Sequence, residues 1–152
     1  MRRVAGFTLV ELLIVVAIIG IMVAVTIPNL VGALDRSRAK KTMADMRAVG
    51  HACEDYSVDY NFYPIQAMQG DLSAISPILI PDHADSLPAR DGWSWSLQYG
   101  TTDGGTAYTI RSLGKDGIKN GGAGRTRDFD CDIVFQDSHF TAYPSGVPRD
   151  LP

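Results

Sequence analysis

The feature that most constrains this chain is an apolar run of 21 residues, from Phe7 to Ile27, in which Glu11 is the only charged side chain. As an α-helix rising 1.5 Å per residue, the run measures about 31 Å, roughly the hydrocarbon thickness of a bilayer. It is longer than the 7–15-residue apolar region of an ordinary secretory signal. The run therefore predicts a membrane-spanning helix that remains part of the exported protein.

Glu11 is costly at this position, because a carboxylate inside such a span costs at least about 2.5 kcal/mol on insertion scales. One interpretation is an ordinary signal anchor with a stray acidic residue. The other is a carboxylate kept for a role. Arg2 and Arg3 precede the run, and by the positive-inside rule they hold the N-terminus in the cytoplasm while the remainder is exported.

The segment from Gly6 to Leu13, Gly-Phe-Thr-Leu-Val-Glu-Leu-Leu, resembles the class III signal sequence of type IV pilins and type II secretion pseudopilins. The resemblance implies that a prepilin peptidase cuts between Gly6 and Phe7, removes residues 1–6 and methylates Phe7. Glu11 then becomes the fifth mature residue, with a role in assembly. Pro28 matches the mid-helix proline of the family. Residues 7–30 would serve as membrane span and as filament-core helix.

Length and charge limit the number of domains and the kinds of partner that the chain can have. The chain has 152 residues and a formal charge of -3, and without Arg2 and Arg3 it keeps 12 basic against 17 acidic side chains, a charge of -5. Nucleic-acid-binding domains usually show a basic footprint, so no nucleic-acid partner is expected. After the helix, residues 64–152 suffice for one small domain.

The helix is predicted to continue as an amphipathic segment over residues 31–63. An apolar stripe recurs there at spacings of three and four, which is the helical period: Met43, Met46, Val49, Cys53, Tyr56 and Tyr60. Gly50 is a weak point that costs about 1 kcal/mol relative to Ala. Asn61–Pro64 ends the helix, because a residue before proline avoids the α region.

Beyond the helix, the sequence predicts a loop with one short helix near residues 72–78, then four strands at 95–99, 107–112, 133–136 and 140–143. Asp103-Gly104, between the first two strands, is a hairpin signal. The prediction is an α+β fold: a long N-terminal helix packed on a small antiparallel β-sheet, as in type IV pilin-like proteins.

Residues 112–132 combine four carboxylates with several glycines, and calcium prefers six to eight oxygen ligands on a flexible loop. This stretch, with Leu87–Trp93 before it, is similar to the calcium loop region of the major pseudopilin of type II secretion. The resemblance implies a Ca²⁺ site with these ligands: Asp116, one or both of Asp130 and Asp132, and carbonyls near Ser112 and Leu113. The alternatives are a solvated loop, or carboxylates paired by Arg125 and Arg127.

Cys53 and Cys131 are the only cysteines. In an exported protein such a pair is a candidate disulfide. The alternative is two small buried hydrophobes.

No enzyme is predicted, because three scattered histidines form no recognisable catalytic arrangement. The resemblance implies a filament subunit, most similar to the major pseudopilin of a type II secretion machine. The alternatives are a true type IV pilin for adhesion or motility, and a single-pass anchored enzyme or binding protein. Expected partners are copies of itself, the prepilin peptidase, an inner-membrane assembly platform, minor pseudopilins or pilins, and membrane lipid. The expected location is the bacterial inner membrane, with the C-terminal domain in the periplasm.

Overall fold

The computed structural model describes residues 6–66, 70–121, 124–126 and 128–147, apart from the side chains of Asp103 and Arg125. The chain divides into two units, of which the first ends at Leu34 and the second begins at Asp35. The first helix, α1, comprises Leu9–Tyr60 and contains Pro28. The helix ends directly before Asn61–Pro64, the predicted terminating segment, and three residues short of the predicted limit at residue 63.

In the first unit the described part of α1 is uncovered. Its large apolar side chains are between 45% and 79% exposed, the extremes being Val15 and Leu9. Contiguous apolar surface of this extent is rare on soluble monomers and marks a surface that another apolar phase covers.

In the second unit, α1 supplies one wall of the core. Ala39, Met43, Met46, Val49 and Cys53 are fully buried, so the predicted apolar stripe is confirmed over this stretch. Its last member was predicted wrongly: Tyr60 is 52% exposed and stacks on the ring of Tyr56, with centroids 4.4 Å apart.

The other wall is a six-stranded sheet with the spatial order β1-β2-β3-β5-β6-β4. Neighbouring strands are antiparallel except β4 and β6, which are parallel. The predicted α+β architecture is confirmed. The strands are β1 Gly70–Asp71, β2 Gln98–Thr101, β3 Tyr108–Ser112, β4 Gly124–Thr126, β5 Ile133–Gln136 and β6 His139–Pro144.

The strand predicted at 95–99 begins three residues later, at Gln98. The reason is a turn centred on Asp91, whose Oδ1 accepts the backbone N–H groups of Trp93 and Trp95, each at 2.9 Å. Those donors are engaged locally and do not join the sheet ladder. The two-residue β1 and three-residue β4 were not predicted, since neither carries an apolar alternation.

The predicted short helix is confirmed. A 3₁₀ turn at Leu72–Ala74 leads into α2, Ser76–Leu79. The Asp71 carboxylate caps the turn by accepting the N–H of Ser73 at 2.9 Å, which is the usual contribution of an aspartate at an N-cap.

Candidate assembly segment and candidate calcium loop

The N-terminal segment begins with a reciprocal capping arrangement. Glu11 Oε2 accepts the backbone N–H of Thr8 at 2.9 Å and its hydroxyl at 2.8 Å. In return, Thr8 Oγ1 accepts the N–H of Glu11 at 3.2 Å. This is a capping box, in which Thr at the N-cap and Glu three residues later satisfy each other's free donors. Glu11 therefore also fixes where α1 starts, and the spacing Thr-x-x-Glu could have predicted it.

The predicted processing site lies just outside the helix. Gly6 and Phe7 precede the first helical residue, Leu9. Both residues are exposed, Phe7 to 74%. The peptide bond between them is therefore in non-helical, accessible backbone, as a peptidase substrate requires. Residues 1–5 of the predicted leader lie outside the described residues.

α1 is long and apolar enough to cross a membrane, judged by length and composition, with a mean hydropathy of 2.9 over its most apolar window. Pro28 lies within the uncovered part of the helix. The structure thus brings Gly6, Phe7, Glu11 and Pro28 into one extended apolar segment and leaves that segment without a covering surface.

Asp116 and Asp130 of the predicted calcium loop are joined by one amide. Asn120 Nδ2 donates to Asp116 Oδ2 at 3.3 Å and to the carbonyl oxygen of Asp130 at 3.1 Å. The second Asp116 oxygen accepts the N–H of Ile118 at 2.9 Å. A side-chain carboxylate, a backbone carbonyl and an amide side chain thus converge, and carboxylate, carbonyl and amide oxygens are the donor types that calcium takes.

Asp132 is engaged differently. It is buried, and its Oδ2 accepts a short ionic hydrogen bond of 2.6 Å from Arg111 Nη1. Its Oδ1 accepts the N–H of Asn120 at 3.1 Å. The cation that neutralises this carboxylate is therefore Arg111 on β3. The predicted alternative donors, Arg127 and the Arg125 side chain, lie outside the described residues.

The loop closes tightly around Gly114, which has φ = 69°. A Cβ added there would lie 2.6 to 2.9 Å from the carbonyl oxygens of Phe129, Asp130 and Cys131. Two of these carbonyls are already engaged, since Phe129 accepts the N–H of Lys115 at 2.8 Å and Asp130 accepts Asn120 Nδ2 at 3.1 Å. Among the described residues, no group of three or more His, Cys, Asp or Glu side chains is arranged to hold a metal ion.

Two carboxylates that lie outside residues 112–132, those of Asp91 and Asp35, bind side chains of this loop. Asp91 Oδ2 accepts the hydroxyl of Ser112, itself a predicted carbonyl ligand, at 2.7 Å. On α1, Asp35 Oδ2 accepts Lys115 Nζ at 2.8 Å and Oδ1 accepts the indole N–H of Trp93 at 3.4 Å. The hydrogen bond from Lys115 holds the pKa of Asp35 below its usual range, against the opposing effect of burial. The same bond raises the pKa of Lys115.

The two cysteines are free, so the candidate disulfide is not formed in this structure. Cys53 is buried in the core, and burial raises the pKa of its thiol to about 12. Cys131 donates its Sγ–H to Asp128 Oδ1 at 3.2 Å, and this hydrogen bond raises its pKa. Cys53 behaves as the buried hydrophobe of the alternative interpretation.

Four positioning residues escaped the sequence analysis: Asp35, Asp91, Asn120 and Glu54. The last accepts hydroxyl hydrogen bonds from Tyr63 at 3.1 Å, from Tyr108 at 3.2 Å and from Ser138. No local pattern distinguishes these residues from surface polar residues. Their partners lie 9 to 84 positions away in the chain, except for the turn contacts of Asp91 and Asn120 and the ion pair of Asp35 with Arg38.

A methylation-type leader, an uncovered apolar helix and a small helix-on-sheet unit together define a membrane-anchored subunit of a pilin-like filament. Two family models match the chain: the prokaryotic N-terminal methylation motif over residues 1–27, and type II secretion system protein G over residues 29–132. The chain therefore belongs to the protein G family of type II secretion systems, whose members are the major pseudopilins and not enzymes.

Individual relatives agree along most of the chain. Type II secretion system core protein G of Pseudomonas aeruginosa is 31% identical over 87% of this chain and 94% of its own length. The Vibrio cholerae protein of the same name is 30% identical over 84% and 91%. That of Klebsiella pneumoniae is 29% identical over 78% and 89%. The predicted function, a structural subunit of the secretion pseudopilus, is confirmed. The surface-pilin and anchored-enzyme alternatives find no support.

Proposed function

We propose that this chain is made as a single-pass inner-membrane precursor, is cut between Gly6 and Phe7 by a prepilin peptidase, and is then drawn into a periplasmic pseudopilus. The observation that carries this proposal is the uncovered apolar part of α1, directly behind an exposed Gly6-Phe7 bond. Lipid covers that surface before assembly, and the equivalent helices of neighbouring copies cover it afterwards. The globular unit, from Asp35 onward, lies in the periplasm.

Glu11 has a role both in the membrane-inserted subunit and in the assembled filament. In the filament its carboxylate pairs with the N-terminal amine of Phe7 in a neighbouring copy, which offsets part of the cost of burying a charge. The capping hydrogen bonds from Thr8 already orient this carboxylate at the helix start. An assembly platform in the inner membrane lifts the subunits, and minor pseudopilins complete the filament.

Processing is tested by the intact mass of the protein extracted from membranes. We expect loss of residues 1–6 and one added methyl group on Phe7. Replacing Gly6 by Leu is expected to leave the leader attached, while the matched variant Gly20→Leu, in open space along the same helix, is still cut. A mature protein that begins at Met1, or beyond Ile27, contradicts the proposal.

We also propose that the loop of residues 112–132 binds Ca²⁺. The donors named in its support are the Asp116 carboxylate, the Asp130 carbonyl and carboxylate, the Asn120 amide oxygen after rotation of the amide, and carbonyls near Ser112 and Leu113. Oxygen and nitrogen of an amide side chain are assigned from their hydrogen bonds, so this rotation needs no backbone change. Asp132 is the weaker candidate, because Arg111 already neutralises it at 2.6 Å.

Calcium binding is tested by thermal unfolding of the full chain in detergent, with Ca²⁺ and with a chelator. A ligand that binds only the folded form stabilises it by roughly 2.7 kcal/mol at a hundredfold excess over its dissociation constant. For a domain of this size the melting temperature rises by several degrees. Asp116→Asn is expected to abolish the rise, and the exposed control Asp82→Asn to keep it.

The Asp132→Asn variant tests whether the Asp132 carboxylate has a structural role or serves as a calcium ligand. It leaves Arg111 without its partner, so we expect a lower melting temperature even with the chelator present. Equal melting temperatures of the wild-type protein in Ca²⁺ and in chelator would show that the loop works without metal, closed by Arg111 and Asn120 instead.

A further inference from the structure

Charge is distributed very unevenly along the exported part of this chain. Four basic side chains occupy six successive positions, Arg36, Arg38, Lys40 and Lys41, here called the basic collar. Residues 42–152 hold eight basic and 15 acidic side chains, a formal charge of -7. The collar is therefore a local concentration of +4 in an otherwise acidic molecule.

The collar covers the solvent side of α1. At 3.6 residues per turn, the buried positions Asp35, Ala39 and Thr42 share one face of the helix. The four basic residues fall on the remaining circumference and all are exposed.

Internal ion pairs leave most of the collar charge in place. Arg38 lies 3.9 Å from Asp35, but that carboxylate is already bound to Lys115 at 2.8 Å. Lys41 lies 3.9 Å from Asp45 and its side chain is 68% exposed. Exposed pairs at such distances contribute little. Arg36 and Lys40 have no ion pair among the described residues.

The position of the basic collar in the sequence indicates that its side chains face the headgroup layer of the membrane. Arg36 comes two residues after Leu34, the last residue of the uncovered apolar unit. Measured from residue 30, the end of the predicted membrane span, Arg36 lies six helical residues further on, a rise of about 9 Å. The polar headgroup layer on each side of a bilayer measures roughly 5–8 Å, and long basic side chains extend back toward it along their aliphatic stems.

We propose that the basic collar binds the phosphate groups of anionic phospholipids in the outer leaflet of the membrane that holds the subunit before assembly. This inference rests on the proposed membrane-inserted state. Basic residues next to a membrane span attract anionic lipid over a range of about one Debye length. The collar thereby fixes how deeply the subunit sits, and extraction into the filament breaks these contacts.

The experiment uses the processed full-length protein in detergent micelles that contain equal amounts of phosphatidylglycerol and phosphatidylcholine. Native mass spectrometry counts the lipids of each kind that stay bound to the monomer. We expect the wild-type protein to favour phosphatidylglycerol by about fivefold for each basic side chain in contact. The preference is expected to weaken as salt is raised.

The matched variants remove two charges each. Arg36→Gln with Lys40→Gln is expected to reduce the preference about fivefold for each side chain lost. Arg90→Gln with Lys119→Gln removes the same charge elsewhere on the globular unit and is expected to keep it. Equal retention of the two lipids by the wild-type protein overturns the proposal, and so does a preference for phosphatidylglycerol that is as strong in the Arg36/Lys40 variant as in the wild type.

A second copy of the chain is the competing occupant, since its globular part is acidic. The same spectra could show wild-type dimers that disappear in the Arg36/Lys40 variant, while the wild-type protein shows no preference for phosphatidylglycerol. That result would assign the collar to subunit contacts and refute lipid binding. The lipid count is made on monomers, so it does not depend on filament formation. Failed processing or failed assembly would instead contradict the proposed function.

Discussion

At the scale of single residues, Gly50 is a position where the sequence suggested a weak helix and the structure shows a close contact. A Cβ at this position would lie 2.5 Å from Phe135 Cε1 and 3.0 Å from the hydroxyl of Tyr108. The helix and sheet approach each other here because the side chain is missing. The cost in helix propensity, about 1 kcal/mol, is therefore offset by packing.

We expect Gly50→Ala to destabilise the protein, although alanine favours helix, because overpacking costs about 1–3 kcal/mol. Gly121→Ala, which meets nothing within 4 Å, is the matched control and should change stability little. Chemical unfolding of both variants decides the matter. A Gly50→Ala protein as stable as the wild type would mean that Phe135 and Tyr108 move aside freely.

Asp35 supplies a pH-dependent contribution to stability. Its pKa is lowered in the folded protein, mainly by the hydrogen bond from Lys115, so its stabilising effect is complete above the unfolded-state value of about 3.9. It is lost as the pH falls through the lower, folded-state value.

Wild type and Asp35→Asn are therefore expected to differ in melting temperature at neutral pH and to converge in acid. Asp82→Asn, an exposed aspartate, controls for the loss of one negative charge. A difference between wild type and Asp35→Asn that is independent of pH would show that Asp35 acts through packing and not through its charge.

At the scale of elements, α1 is one continuous helix in the isolated chain, from Leu9 to Tyr60. Proline lacks the N–H that would bond four residues back and crowds that carbonyl. Two side chains donate to carbonyls just before it: Thr26 to Met22 at 2.8 Å and Asn29 to Val25 at 3.3 Å. Neither bond reaches Ala24, the residue four positions before Pro28, so neither replaces the missing backbone bond; side-chain bonds of this kind to the carbonyl four residues back slightly weaken a helix.

We expect the helix to loosen around Pro28 when it is packed in the filament, with Gly32 one turn later adding freedom. A cryo-electron microscopy map of the filament would show non-helical backbone near these residues, and Pro28→Ala would restore the helix. Continuous straight helix from Phe7 to Tyr60 in the wild-type filament would contradict this expectation.

The elements differ in how far their sequence could predict them. α1, β3 and β6 carry periodic apolar patterns and β5 begins with the apolar run Ile-Val-Phe, so all four were predicted closely. β2 was displaced because the carboxylate of Asp91 holds the preceding residues in a turn, and that contact depends on one side chain. β1 and β4 are too short to carry a period. β1 pairs with Tyr99 and Gln98, and β4 pairs with residues of β6. Both pairings depend on the finished sheet.

The candidate sites divide in the same way. Gly6, Phe7, Glu11 and Pro28 lie close together in the sequence and could be recognised from it. The arrangement of the Asp/Gly loop could not, because Arg111 and Asn120 reach Asp132 across 21 and 12 positions. A guanidinium on a neighbouring strand leaves no local signature in the loop that it closes.

At the scale of the whole molecule, the apolar segment and the globular unit have separate tasks. The first provides a surface that lipid or neighbouring subunits must cover. The second is a helix-on-sheet unit built around a buried apolar core. A chain built in this way works by assembling, and its function is lost when assembly is lost.

Secretion itself is the sharpest test that this chain is the major subunit of a type II secretion pseudopilus. In the source bacterium, deletion of the gene is expected to leave type II substrates inside the cell, and wild-type protein to restore their release. Glu11→Ala should be inserted and processed but should fail to restore it. Unchanged secretion in the deletion strain, with loss of surface pili, would contradict the account and make the chain a pilin.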